Sequence, residues 1–458
     1  MRIGFGQADI TPRGGLVSLT GQFEKRITDQ VHDPLRAVAM VVQTDGARTI
    51  WVSADNLKIF AHNVRALAER VRRFLPDLRE EELVVSATHI HTGPSLYANS
   101  FLALTGRRGE PEEALSAAEC EAQFADRAAE AVREALENLR EARIDYAIAR
   151  IQTGVCRRTL FQDGTAQMYG DPYRPDFFKM ECRDGGPSQF LYVSDADGRL
   201  MGVVANVPCT AQCDEHALYM TADYWGVVRE RLERELGDQV RVLPLCRCAG
   251  STSPHQLVDR IPVERDAGLY SGRACAEWMG EWVAENILSH RRRVCVRYEG
   301  DALHRQGMKT VDFPIWPVTE EEYRAAVAYL ADKGNYTGDG KPLNAYAHSN
   351  AFTRKERFES GRKIYPANIY ATVLGGLLFI TNPFELYVEY ADRIRMALRD
   401  SIVIDVELTH DGMGYLATPN AVAAGHYSAN IFNGVCAPDG GEVLVRESVA
   451  LARSLLDS

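Results

Sequence analysis

Apolar residues in this chain fall into two kinds of run. Short, nearly unbroken ones occur at Ala37–Val42, Thr49–Ser53, Leu83–Ala87, Tyr146–Ile151, Phe190–Ser194, Met201–Val207 and Val240–Pro244, and predict strands. Between several of them lie Val64–Phe74, Cys120–Leu139, Tyr224–Leu236 and Val263–Ile287, where apolar positions recur at helical spacing. Helices alternating with strands define an α/β class. Further on come a helix over Glu320–Ala331, a long apolar run Ile369–Thr381, a helix from about Glu385 to Arg399, a strand Ile402–Leu408 and a closing helix Gly441–Leu456. Neither an internal repeat nor a low-complexity linker interrupts this order. Residues 1–458 therefore read as one domain of mixed sheets covered by helices in several layers. The least regular stretch, 333–366, is rich in Gly, Asn, Lys and Tyr, and reads as a long surface loop or lid.

Composition narrows the function. Hydrophobic content of 46% and charged content of 25% over 458 residues are ordinary soluble values, and no apolar run reaches the ~18 residues of a membrane span. A net charge of -11 argues against nucleic acid and anionic lipid as partners, and the single basic cluster Arg291-Arg292-Arg293 is too short to change that. The expected partner is a small molecule; nothing in the pattern speaks to oligomeric state. The first residues lack a secretory pattern, and the ten cysteines are scattered without a CxxC pair. Reduced thiols and a cytoplasmic location are the expectation.

The densest chemistry lies in Ser86-Ala-Thr-His-Ile-His-Thr-Gly-Pro94, where His89 and His91 stand two residues apart after an apolar run. Continued extended geometry would point both imidazoles to one side, an arrangement that suits a metal and equally suits two hydrogen-bonded histidines at a core edge. Gly4-x-Gly6-x-x-Asp9-Ile-Thr-Pro12 is not a dinucleotide fingerprint, because Thr-Pro-Arg-Gly-Gly cannot open a helix.

These two segments occur in order with Asn206-Val-Pro-Cys209, Ala222-Asp-Tyr-Trp-Gly226, Ala249-Gly-Ser-Thr-Ser-Pro254, Thr381-Asn-Pro-Phe-Glu385, Gly414-Tyr-Leu-Ala-Thr418 and His426-Tyr427. Together they resemble the landmarks of the neutral/alkaline, non-lysosomal ceramidase family. The resemblance covers the catalytic region only, as in a divergent member lacking the family's C-terminal immunoglobulin-like domain. It implies a ceramidase-like catalytic domain that uses one zinc ion, held by two histidines, a glutamate and a tyrosine, to cleave an amide.

By motif position the resemblance implies His89, Glu385 and Tyr415 as metal ligands and His91 as a nearby acid/base. It implies Tyr427 at the reacting oxygen and Arg157 facing substrate, with Arg158 a close rival. Ser253 matches a motif serine and reads as a positioning hydroxyl in a turn. The family's second histidine is missing: the chain reads Pro208-Cys209-Thr210-Ala211-Gln212-Cys213. Cys209 is the expected substitute, since thiolate binds zinc well; Cys213, His216 and a site without zinc are the alternatives. Ser251 is a second departure, altering the polar surroundings of Ser253.

The leading expectation is a zinc-dependent hydrolase cleaving a non-peptide linear amide of a small polar cytoplasmic substrate through metal-activated water. The alternatives are a hydrolase or lyase acting on a carbohydrate-like, ester or lactone substrate, and a binding protein with a decayed metal site.

Overall fold

The computed structural model describes residues 1–457 except 24, 98–113, 259–266, 301 and 339. Its larger sheet contains β1 (Arg2–Asp9), β2 (Arg36–Gln43), β3 (Arg48–Ala54), β4 (Leu83–Ala87), β5 (Arg140–Ala149), β6 (Ser188–Asp195), β7 (Leu200–Val207) and β8 (Arg241–Cys246). They lie in the order β8-β7-β6-β5-β1-β2-β3-β4, and a short strand Val296–Tyr298 also pairs with β5. Neighbours are antiparallel except β3–β4 and β7–β8, which are parallel. A smaller sheet is built from β9 (His304–Pro314), β10 (Ile364–Leu374), β11 (Leu377–Thr381) and β12 (Ile402–Val406), with β11–β12 parallel.

The unbroken apolar runs are explained by burial on both faces. Along β2, Val38, Met40 and Val42 enter a core shared with Tyr370, Phe379 and Ile404 of the smaller sheet. The alternate Ala37, Ala39 and Val41 enter a second core on the outer side. That outer core also takes residues from α1 (Ala61–Arg72), α2 (Ala117–Glu137), α3 (Tyr224–Leu236) and α4 (Arg273–His290). Next in the chain are α5 (Glu320–Ala331), α6 (Ala345–Ser360), α7 (Val388–Ala397), the short α8 (Pro419–Ala424) and α9 (Asp439–Asp457). Helix α9 lies against β9 and β10. The result is a mixed α/β fold in four layers: helices, sheet, sheet, helix.

Three local readings change. The apolar run Ile369–Thr381 is a β-hairpin, broken at Gly375, whose φ of 63° and contact with Tyr298 leave no room for a Cβ. The helix expected from Glu385 begins at Val388; Glu385–Leu386 instead pairs in parallel with Tyr415–Leu416. The helix expected over Val263–Ile287 is described as Arg273–His290, and 263–266 lie outside the described residues. Residues 333–366 include a 3-10 turn, Lys333–Asn335, and all of α6.

Gly4 and Gly6 have a packing role. Helix α2 crosses β1 so closely that a Cβ on Gly4 would stand 2.0 Å from the Ala135 carbonyl oxygen, and one on Gly6 2.2 Å from that of Ala131. Backbone cannot yield as a flexible side chain does, so Gly6→Ala should lower stability by about 3 kcal/mol, read as a shifted denaturant midpoint at unchanged slope.

His410 allows a pH prediction. Burial pushes its pKa down to about 3, and its Nδ1 meets the Tyr370 hydroxyl at 2.9 Å. The unfolded chain takes up this proton near pH ~6.5, while the fold refuses it until about pH 3. Stability is therefore complete above the unfolded value and falls as the pH is lowered toward the folded one, by at most ~1.4 kcal/mol per pH unit from this group. Denaturant titrations at about pH 6 and about pH 4 should show a shallower acid loss in His410→Asn than in the parent.

Candidate active site

Each of the three parallel strand pairs within the two large sheets ends at the same place. The loops following β3 and β4 carry Lys58, His89 and His91; Cys209 follows β7, and Cys246 closes β8; Glu385 follows β11, and Glu407 follows β12 directly. Carboxyl ends of parallel strands open into crevices, which is why residues so distant in sequence meet here.

His89 does not continue the strand. Its φ of 64° is left-handed, so the two imidazoles meet through a turn and not through strand alternation; the rings still stack, with centroids 5.4 Å apart and planes at 24°. His89 is fully buried. Its Nε2 lies 3.7 Å from Glu385 Oε2 and its Nδ1 lies 3.4 Å from Glu407 Oε1. Burial pushes its pKa down to about 3, against the pull of Glu385. Pairing of Glu385 with Tyr415 in adjacent strands brings two of the expected residues together, and their side chains hydrogen bond. Arg157 donates to the Tyr415 hydroxyl at 3.0 Å and to the Gly250 carbonyl at 3.0 Å.

Above this buried layer is a pocket of about 760 Å³ lined by His91, Arg157, Gln212, Glu215, Tyr415 and Tyr427, with Phe23, Tyr169, Tyr346 and Phe432 among its aromatic walls. His91 Nδ1 lies 3.4 Å from Glu215 Oε2. Gln212 supports that carboxylate, its amide donating at 3.3 Å to Glu215 and at 2.8 Å to the Tyr169 hydroxyl. Burial works to raise the Glu215 pKa, but His91 and His255 outweigh it and hold it at about 2. Gly21, with φ of 99°, passes under His91 where a Cβ would stand 2.6 Å from the histidine's own Cβ.

Sequence comparison matches residues 1–162 to the family model described as neutral/alkaline non-lysosomal ceramidase, N-terminal. In fold, the chain is similar over its whole length to a neutral ceramidase from Pseudomonas aeruginosa, with a TM-score of 0.74 at 17% identity and 74% of that chain covered. The fold is ceramidase-like. A second solved structure, a ceramidase complexed with C2, gives a TM-score of 0.72 at 16% identity, covering 100% of this chain and 75% of that one. No curated protein matches the sequence.

The donors implied for zinc do not all converge in this ceramidase-like fold. The Cys209 sulfur sits in the outer core, 3.4 Å from the Thr210 carbonyl, and burial pushes its thiol well up. Cys213 is buried in the same core, and the side chain of His216 is 78% exposed. Glu385 is already occupied: Lys58 Nζ lies 2.6 Å from its Oε1. Burial alone would raise the Glu385 pKa, and Lys58 with His89 brings it down to about 2. A divalent ion on Glu385 would have to displace the Lys58 ammonium and lie beside the Arg157 guanidinium. The set His89, Cys209, Glu385 and Tyr415 therefore does not fit a metal.

A different group could hold one. Among the described residues, a ring nitrogen of His89, Cys246 Sγ and a Glu407 oxygen lie within 4.8 Å of one another, all buried. The sulfur that reaches His89 is thus that of Cys246, closing β8, and not that of Cys209. Burial pushes Glu407 up to about 8, although the backbone N–H groups of Ala249 and Leu386 both donate to it at 3.0 Å. These three residues are not among those lining the pocket.

Ser253 and Arg158 are supporting residues. Ser253 lies in a two-residue strand, Thr252–Ser253, paired with Val155–Cys156, and not in a turn; its Oγ accepts from the His255 N–H at 3.2 Å. Arg158 donates to the carbonyls of Tyr427 at 2.7 Å and Gly425 at 2.8 Å, holding the loop that presents Tyr427, while Arg157 takes the pocket side.

Sequence reasoning missed Lys58, Glu215, Cys246 as a metal donor and Glu407. Glu215 adjoins the weighed His216, and Glu407 lies in the predicted strand Ile402–Leu408, where an internal carboxylate between apolar neighbours was a usable signal. Lys58 had no such mark. The loop carrying it is anchored by Asp55, which accepts from Arg229 at 2.9 Å, from the Arg36 N–H at 2.8 Å and from Thr88 at 3.1 Å. Arg229→Met strands this buried carboxylate and should cost about 3–5 kcal/mol of folding stability, measured by denaturant unfolding, with much of the loss recovered in Arg229→Met/Asp55→Asn.

Proposed function

We propose that this chain is a hydrolase of a small molecule, cleaving a non-peptide linear amide in the pocket beside His91. The observation that carries the reading is the His91–Glu215 pair: an imidazole lining the pocket, beside a carboxylate held low at 3.4 Å, with neither ring nitrogen meeting hydrogen-bond geometry among the described residues. A carboxylate on the Nδ1 side favours the proton there, which leaves Nε2 as the basic nitrogen.

In this reading Nε2 takes a proton from water as the water oxygen bonds to the acyl carbon. The carbonyl electrons move to its oxygen, facing Arg157 and the Tyr427 hydroxyl, which favour the developing charge. Collapse breaks the C–N bond, and the departing nitrogen takes the proton from His91. Binding to Phe23, Tyr346 and Phe432 orients the substrate. Thiol, imidazole and carboxylate are donors that suit zinc, so the ion implied by the resemblance is assigned to His89, Cys246 and Glu407. Behind the pocket it would brace the loops, and no step is routed through it. A cytoplasmic location agrees with ten free cysteines.

The aromatic walls favour one second reading, a carbohydrate-like substrate whose ring faces pack on tyrosine and phenylalanine. A panel of N-acyl amides, esters and glycosides separates the two. Amide cleavage is expected, with His91→Ala lowering kcat by ~100-fold or more and Glu215→Gln by less. Turnover of glycosides alone would move the conclusion to the second reading, and an inert panel would remove the hydrolase.

A further inference from the structure

The pocket floor holds a charge arrangement that the function above leaves unexplained. Lys58 reaches it from the loop after β3, Nζ 2.6 Å from Glu385 Oε1, its side chain 18% exposed. The other oxygen of Glu385 faces His89 Nε2 at 3.7 Å, the Tyr415 hydroxyl hydrogen bonds the same carboxylate, and Arg157 donates to that hydroxyl at 3.0 Å. Cation, phenol, carboxylate and cation form one chain, and with His89 neutral it carries one net positive charge beneath the pocket.

The structure assigns to Lys58 the role of resident cation: its ammonium stands on the carboxylate where the resemblance implies a metal, making this a metal-independent centre. Three observations converge on it. The second histidine is absent from Pro208–Cys213, the thiol expected to replace it lies in the outer core, and the remaining carboxylate is already neutralised by a lysine. An ammonium bound to a carboxylate keeps its proton and has no free lone pair, so Lys58 acts by charge and not as a nucleophile. Lys58 is thus a positioning residue. It holds Glu385 as the acceptor that orients Tyr415, and the Tyr415 ring packs edge-on against Tyr427 of the pocket wall, with centroids 5.8 Å apart.

The assignment rests on the hydrolytic reading of the pocket, and its test separates the two. Protein purified from zinc-supplemented medium is analysed for metal and melted with EDTA or with zinc chloride, beside Lys58→Met, Lys58→Met/Glu385→Gln, Glu385→Gln and Cys246→Ser. The expected result is that no ion depends on Glu385 for its retention, and that neither EDTA nor zinc produces a melting shift dependent on Glu385. Lys58→Met should melt lower, with Lys58→Met/Glu385→Gln restoring much of the loss because Glu385 is then no longer a carboxylate stripped of its ammonium. On any amide the panel yields, turnover of Cys246→Ser should be insensitive to chelator, while Lys58→Met lowers kcat by ~100-fold with little change in KM and Lys58→Arg recovers part of it. An ion retained in Cys246→Ser but lost in Glu385→Gln would overturn the assignment, as would turnover of Cys246→Ser that chelator kills and zinc restores. An ion lost only in Cys246→Ser belongs to the group behind His89 and leaves it standing. If the panel is inert, the hydrolase reading fails, and the metal and melting results still decide on Lys58.

Discussion

The contact between Lys58 and Glu385 joins the two halves of this molecule. Lys58 leaves the larger sheet after β3, Glu385 leaves the smaller one after β11, and their charged ends meet at 2.6 Å where both sheets open. A buried charge must be paired or it is expelled, so this contact sets how the two groups of loops approach each other. Around it the same demand is met repeatedly: Asp55 with Arg229 on the β3 side, and Asp405 with Arg247 at 3.0 Å between the sheets. The apolar cores hold the layers together without direction, while these pairs determine which loop residues face one another.

Parallel pairing supplies the rest of the geometry. A chain built wholly from hairpins would send consecutive loops to opposite ends of its sheets. The three parallel pairs within the two large sheets, β3–β4, β7–β8 and β11–β12, each bring two strand ends to the same edge. Lys58, His89, Cys246, Glu385 and Glu407 are the residues so delivered. Their packing also requires backbone that L-residues seldom adopt: His89, Tyr169 and His426 have φ of 64°, 52° and 73°. Strain of this kind persists only where surrounding contacts over-determine it, and the three residues stand beneath or around the pocket.

Chemically, the site differs from a metal centre in where its positive charge resides. A divalent ion needs several donors turned inward and deprotonated, whereas a lysine needs one carboxylate and a route for its stem. Here the donors are divided: Glu385 and Tyr415 are engaged by Lys58 and Arg157, and His89 turns its Nδ1 to Glu407 on the other side, where Cys246 also lies. His89 is therefore the hinge between a charged chain under the pocket and a buried thiol and carboxylate behind it.

Much of this was written in local sequence. Strands over Leu83–Ala87 and Met201–Val207, helices over Tyr224–Leu236 and Glu320–Ala331 and the layered α/β class follow from periodicity, because burial on one or both faces leaves a pattern that each segment carries by itself. The resemblance also singles out His91, Arg157, Tyr415 and Tyr427, all of which line the one pocket. What only the tertiary structure decided is which residues meet across the sheets. Gly4 and Gly6 serve a helix more than a hundred residues away, Glu385 lies in a strand pair and not on a helix, Cys246 and not Cys209 reaches His89, and Lys58 takes up Glu385. Periodicity reports whether a side chain is buried; the identity of its partner depends on register and sheet order, which involve residues far apart in the chain and leave no mark on either segment alone.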